Sequence, residues 1–143
     1  VQRVVFDTSS LVGAALQVGS VPHAALHHAL ANAVLLASAR TLDELQRVLR
    51  RPKFDAYLPM AMRREFFDIV ARAAVIVEVA VDEESLLRPA CRDAEDNKFL
   101  ALAAAAEAQV IISSDLDLLT LDPWNGVRIM KPARYLAEYA PTP

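Results

Sequence analysis

Five short apolar runs alternate along this chain with stretches of helical character, and that alternation limits the folds open to it more than any single residue does. Arg3-Val4-Val5-Phe6, Val34 to Ala37, the β-branched Val75 to Val81, Val110-Ile111-Ile112 and Val127 to Met130 read as strands. Between them, Ser20-Val21-Pro22-His23 opens a helix to about Asn32, with a capping serine and a first-turn proline. Further helices are expected over Thr41 to Arg50, from Pro59 to about Ala73, over Asp93 to Ala108 and over Pro132 to Tyr139. Arg51-Pro52-Lys53 stops the second of these helices, because proline cannot continue one. Strands joined by helical crossovers pair in parallel, and a parallel sheet buries both of its faces under helices. The expectation is an α/β sandwich in three layers.

At 143 residues the chain suits one domain, expected to span 1–143. The 55% apolar content overstates the bulky core, since 26 residues are alanine, yet it is far from a composition that forbids folding. The longest apolar run, Phe99 to Ala106, is too short for a membrane span. Val1-Gln2-Arg3 leads straight into the first strand, so no signal peptide and a cytoplasmic location are expected. Cys91 is the lone cysteine, which excludes an internal disulfide and a thiolate metal cluster.

In open parallel sheets the ligand crevice lies beyond the carboxyl ends of the strands, where strand order reverses. Asp7, in the polar loop expected over Asp7-Thr8-Ser9-Ser10, and Asp115, after Ser113-Ser114, stand at such ends. They form one site if the first and fourth strands are neighbours, which spacing leaves open. Most of the acids also have a bland explanation. Glu44 follows Thr41 at capping-box spacing, Asp96 sits in the expected first turn after Asp93, and Asp115 and Asp117 lie at a strand-to-helix turn. Asp7 directly follows a buried strand, where a carboxylate needs a cation, hydrogen bonds or a nest of helix amides.

Taken together, the segments Val4-Val5-Phe6-Asp7-Thr8-Ser9, Asp43-Glu44-Leu45 through Arg51-Pro52-Lys53-Phe54, Cys91-Arg92-Asp93-Ala94-Glu95-Asp96-Asn97-Lys98-Phe99 through Ala103, and Ser113-Ser114-Asp115-Leu116-Asp117 resemble the PIN-domain family. Within it they resemble toxins of the VapC type, over essentially the whole chain. The resemblance implies a PIN-like five-stranded parallel sheet with the first and fourth strands adjacent. It implies a catalytic quartet of Asp7, Glu44, Asp96 and Asp115, with Asp7, Asp96, Asp115 and the accessory Asp117 holding metal. Ser9 and Ser113 stand where the family often has asparagine and threonine, and either could hydrogen-bond a metal-holding carboxylate. It also implies a homodimer, an antitoxin partner that occludes the site, and RNA as substrate.

Carboxylates suit hard Mg²⁺ or Mn²⁺, whose charge assists water attack on a phosphodiester; spacing leaves one or two ions open. The net charge of −3 does not advertise nucleic-acid binding, but residues 40–72 hold eight Lys/Arg against five Asp/Glu, whereas residues 73–122 hold three against eleven. Arg47, Arg50, Arg51 and Lys53 are the candidates to grip RNA phosphates, with Arg92 and Lys98 next; a solvated helix face is the alternative. His23 and His27 have a metal-capable i, i+4 spacing, but no third ligand follows them and a packing role is favoured over metal-free histidine chemistry. Tyr57, Phe66, Phe67 and Trp124 give few stacking candidates, so base preference is unreadable. The other functional readings are a non-catalytic interaction module that uses its acids as caps, and a metal-dependent DNA nuclease.

Overall fold

The computed structural model describes residues 1–140; the last three residues of the expected 1–143 domain lie outside the described residues. Strands β1 (Arg3–Phe6), β2 (Val34–Ala37), β3 (Val75–Ile76), β4 (Val110–Ile112) and β5 (Arg128–Met130) form one sheet in the order β3-β2-β1-β4-β5. Every pairing is parallel. Among the described residues the α-helices are α1 (Thr8–Leu16), α2 (Val21–Asn32), α3 (Ala39–Leu49), α4 (Met60–Ala73), α5 (Asn97–Ala106), α6 (Leu116–Leu119) and α7 (Pro132–Tyr139).

Side chains alternate across the central strands, as the pleat requires. Val4 and Phe6 of β1 and Val110 and Ile112 of β4 point into a core built by α1, α2, α3, α4 and α7, with Leu11, Leu26, Leu45, Val70 and Tyr135 among its members. Val5 and Ile111 point the other way, into a core of α5 residues Phe99 to Ala103 with Leu118, Trp124 and Ile129. The result is the three-layer α/β sandwich expected, with a five-stranded parallel sheet. No helix among the described residues is long and apolar enough to cross a membrane.

Four local expectations need correction. The Asp7-to-Ser10 loop is instead the start of α1: Asp7 caps it, accepting a hydrogen bond from the Ser10 amide at 2.9 Å. Helix α3 begins at Ala39, because Ser38 and Thr41 bond each other's backbone amides in a capping box ahead of the one expected. The strand over Val75 to Val81 shrinks to Val75–Ile76. Its partner β2 ends at Ala37, where Ser38 turns the chain into α3, so only Val77 N–H finds a further carbonyl, that of Ala37 at 2.8 Å. The helix over Asp93 to Ala108 divides into a 3-10 turn, Ala94–Asp96, and α5.

Candidate active site

The sheet order places the reversal point at β1: the chain runs from β1 to β2 and β3 on one side, then crosses to β4 and β5 on the other. The register carries on past the strand ends. Asp7 N–H donates to Ile112 O at 3.0 Å and Ser113 N–H to Met130 O at 3.0 Å, so Asp7 and Ser113 leave the sheet side by side. Asp115 follows two residues later as the cap of α6. The last turn before α5 brings Asp93 and Asp96 over the same edge. Carboxylate oxygens of Asp93, Asp96 and Asp115 lie within 4.8 Å of one another, the only such group of three acids among the described residues.

Asp7 is 3% exposed. Burial pushes its carboxyl above the ordinary range, opposed by the Ser113 hydroxyl, which donates to Oδ2 at 2.5 Å, and by Ser10. Ser113 also accepts the Asp115 amide at 2.9 Å, so one hydroxyl ties the ends of both strands together. Asp115 Oδ1 accepts from Asp117 N–H at 2.9 Å, which spends one oxygen on the cap. The carboxyl of Asp96 is pushed up to about 7, first by burial, then by its contact and repulsion with Asp115 and the charges of Asp93 and Asp7. Its Oδ2 is buried with no hydrogen-bond partner.

These facts separate the acids that only cap from those that do more. Asp93, not Asp96, caps the turn before α5, accepting from Glu95 N–H at 3.0 Å, while Asp96 makes no capping bond. Glu44 lies in the second turn of α3, past the capping box, so its capping explanation falls away. Its Oε1 accepts from the Thr8 hydroxyl and its Oε2 from Lys98 Nζ at 2.7 Å. Burial would raise the Glu44 carboxyl, but the bonds from Lys98 and Thr8 and the charges of Lys98 and Arg47 overcome it and hold it low.

Asp7, Glu44, Asp96 and Asp115 all line one cleft of about 490 Å³, with Ser9, Arg51 and Lys53 on its walls. Ser9 is exposed, and Thr8 beside it is the hydroxyl that reaches a carboxylate. Asp117 stands outside the group of three acids. The basic candidates divide. Arg51 and Lys53 face the acids, Arg50 lines a separate pocket between α3 and α4 with Arg64 and Asp68, and Arg47 is exposed on α3. Arg92 is exposed. Lys98 is 4% exposed and committed to Glu44. The histidines serve α2: the His23 ring accepts from Gly19 N–H at 3.3 Å, and His28 packs edge-on against Tyr135.

Two residues escaped sequence reasoning. Asp93 looked like a helix-start acid, which it also is. Arg63 is fully buried inside α4 and donates to the carbonyls of Leu49 at 2.6 Å, Leu58 at 2.8 Å and Arg51 at 3.2 Å, besides pairing with Asp55. It thereby closes the carboxyl end of α3 and holds the segment carrying Arg51 and Lys53. Its spacing from Phe66, Phe67 and Val70 puts it on the core-facing side of α4, which is the signal that could have marked it.

The donor set fits a divalent ion. Several carboxylate oxygens and one orphaned buried oxygen at a single sheet edge are what a hard cation takes, and without it this concentration of charge is costly. Asp93, Asp96 and Asp115 offer the ligand atoms in reach of one another, with Asp7 behind them.

A family model for the PIN domain matches residues 3–117. None of the curated proteins compared matches in sequence. Among solved structures the chain is similar to VapBC2 from Rickettsia felis, solved bound to a DNA fragment from its promoter, with a TM-score of 0.64 at 15% identity, covering 90% of this chain and 97% of that one. It is similar to a Pyrobaculum aerophilum protein (TM-score 0.61, 16% identity, 97% of this chain and 90% of that one). It is also similar to VapC20 of Mycobacterium tuberculosis, described as a sarcin-ricin loop cleaving toxin (TM-score 0.58, 16% identity, 87% of this chain and 98% of that one).

Proposed function

Because this chain belongs to the PIN-domain family, we propose that it is an endoribonuclease dependent on Mg²⁺ or Mn²⁺ and the toxin of a toxin–antitoxin pair, working as a homodimer in the cytoplasm. The observation that carries the reading is the buried, unpartnered Oδ2 of Asp96 beside Asp93 and Asp115. A capping acid has no reason to leave an oxygen buried and unpaired, whereas a metal ligand does. RNA as substrate is supported by the description of the mycobacterial neighbour as cleaving the sarcin-ricin loop, and an antitoxin partner by the VapBC assembly of the rickettsial one.

In this reading Asp93, Asp96 and Asp115 hold the ion, with Asp7 adding its charge from beneath. A divalent ion, when bound, supplies positive charge to the phosphate under attack and makes water a better nucleophile. The chain's own residues prepare the place. Ser113 and the Ser10 amide fix the Asp7 carboxylate in one orientation, and Arg51 and Lys53, on the cleft wall, take the flanking phosphates.

The test is cleavage of a structured RNA and of single-stranded DNA by the chain with Mg²⁺, Mn²⁺ or chelator, beside Asp96→Asn. Cleavage of RNA alone, lost with chelator and in the variant, is the expected result. Cleavage of DNA alone would make it a deoxyribonuclease. No cleavage of either with metal present would leave a non-catalytic interaction module.

A further inference from the structure

Among the described residues, Lys98 is the one buried cation near the acids that the proposed chemistry does not use. It projects from the first turn of α5, two residues after Asp96, and is 4% exposed. A desolvated ammonium persists only where its donors are met. Two of them are met here, by Glu44 Oε2 at 2.7 Å and by the Glu95 carbonyl, and the Glu95 carboxylate stands 3.6 Å away as a second ion-pair partner. Held by two hydrogen bonds and two carboxylates, Lys98 is not free to swing toward a phosphate.

The same bonds define what Glu44 can do. One of its oxygens is held by Thr8 and the other by Lys98, so it lines the cleft already paired. Independently, Glu44 is absent from the group of acids whose oxygens approach within 4.8 Å among the described residues. The acids lining the cleft are Asp7, Glu44, Asp96 and Asp115, and Asp7 is already bonded by Ser113 and the Ser10 amide. A second divalent ion there would therefore draw on Glu44, where Lys98 already supplies positive charge.

We propose that Lys98 is a built-in cation of this centre: its ammonium engages Glu44 and restricts the acids to a single divalent ion, held at Asp93, Asp96 and Asp115. Lys98 is then a positioning residue, and Glu44 balances charge and orients its neighbours without binding metal. The inference rests on the metal reading above and narrows it from one or two ions to one.

Calorimetric titration of the whole chain with Mn²⁺ tests it. The parent should bind one ion, and Glu44→Gln should still bind one, about tenfold more weakly, because it leaves the Lys98 charge unbalanced beside the acids. Lys98→Met removes a like charge and frees Glu44, so it should bind Mn²⁺ at least about tenfold more tightly or take up a second ion. Lys98→Arg keeps the charge and should behave as the parent. If Lys98→Met does not fold, the double variant Glu44→Gln/Lys98→Met removes the pair together and should bind one ion as the parent does. Two ions in the parent, loss of an ion in Glu44→Gln, weaker binding in Lys98→Met or altered binding in the double variant would overturn the role of Lys98 and leave the metal reading standing. A parent that binds no Mn²⁺ would overturn both.

Discussion

Replacing Asp96 by asparagine should stabilise the metal-free protein, and by an amount that depends on pH. The Asp96 carboxyl is pushed up from its ordinary 3.8 to about 7 by burial and by Asp115. A folded-state value above the unfolded one means that the native protein holds this proton more tightly. The stability linked to it is fully present below about pH 4 and is lost as pH rises through about 7. At roughly 1.4 kcal/mol per pH unit the gap sets a ceiling of about 4 kcal/mol. Asp96 is only half-buried, so water screens much of this, and about 1 to 2 kcal/mol is the expected remainder. Asparagine cannot ionise, and because Asp96 makes no capping bond its loss leaves no amide unpaired. In chelator, urea denaturation should therefore give nearly equal stabilities at about pH 4 and a variant more stable by about 1 to 2 kcal/mol at pH 8. Adding Mn²⁺ should reverse the order at pH 8, because only the parent gains full binding energy. A variant less stable than the parent at pH 8 in chelator, or a difference that does not change with pH, would refute the argument that Asp96 is held in an electrostatically crowded place.

Ser113→Ala removes a hydrogen bond that lowers the Asp7 carboxyl. Its Mn²⁺ affinity should fall, and by more as the pH is lowered, while Ser113→Thr stays close to the parent; a loss that does not change with pH would mean that Ser113 acts on packing alone. Arg51→Ala with Lys53→Ala should weaken RNA binding and flatten its logarithmic salt slope by about 1.4, at about 0.7 per phosphate contact on single strands. Fluorescence anisotropy across a salt series checks this, and Arg50→Ala, facing the other pocket, should leave the slope unchanged. Arg63→Leu strands the carbonyls of Leu49, Leu58 and Arg51. It should cost about 3 kcal/mol or more in urea unfolding, and a loss under 1 kcal/mol would mean that water replaces the guanidinium there.

What the sequence determined by itself is local. Strand and helix alternate because apolar runs of a few residues cannot satisfy their backbone alone and must pair, and the crossovers between them then dictate parallel pairing. Asp7 could be placed at a strand end from the four residues before it, and the helix-stopping Pro52 needed only its own ring. The adjacency of β1 and β4, by contrast, came from family resemblance, and the register shows it as the bond from Asp7 N–H to Ile112 O. Even some local choices were decided by competition: Ser38 and Thr41 captured the start of α3 and so removed Glu44 from the cap. The fate of Glu44 was then settled by Thr8, 36 residues earlier in the chain, and Lys98, 54 residues later. The short β3 depended on where β2 turned, and Arg63 on three carbonyls that only α3 and the chain after it could bring together. A carboxylate or a guanidinium carries the same charge wherever it stands in the chain. Whether it caps, pairs or waits for a metal is decided by the burial and the partners that tertiary packing assembles around it.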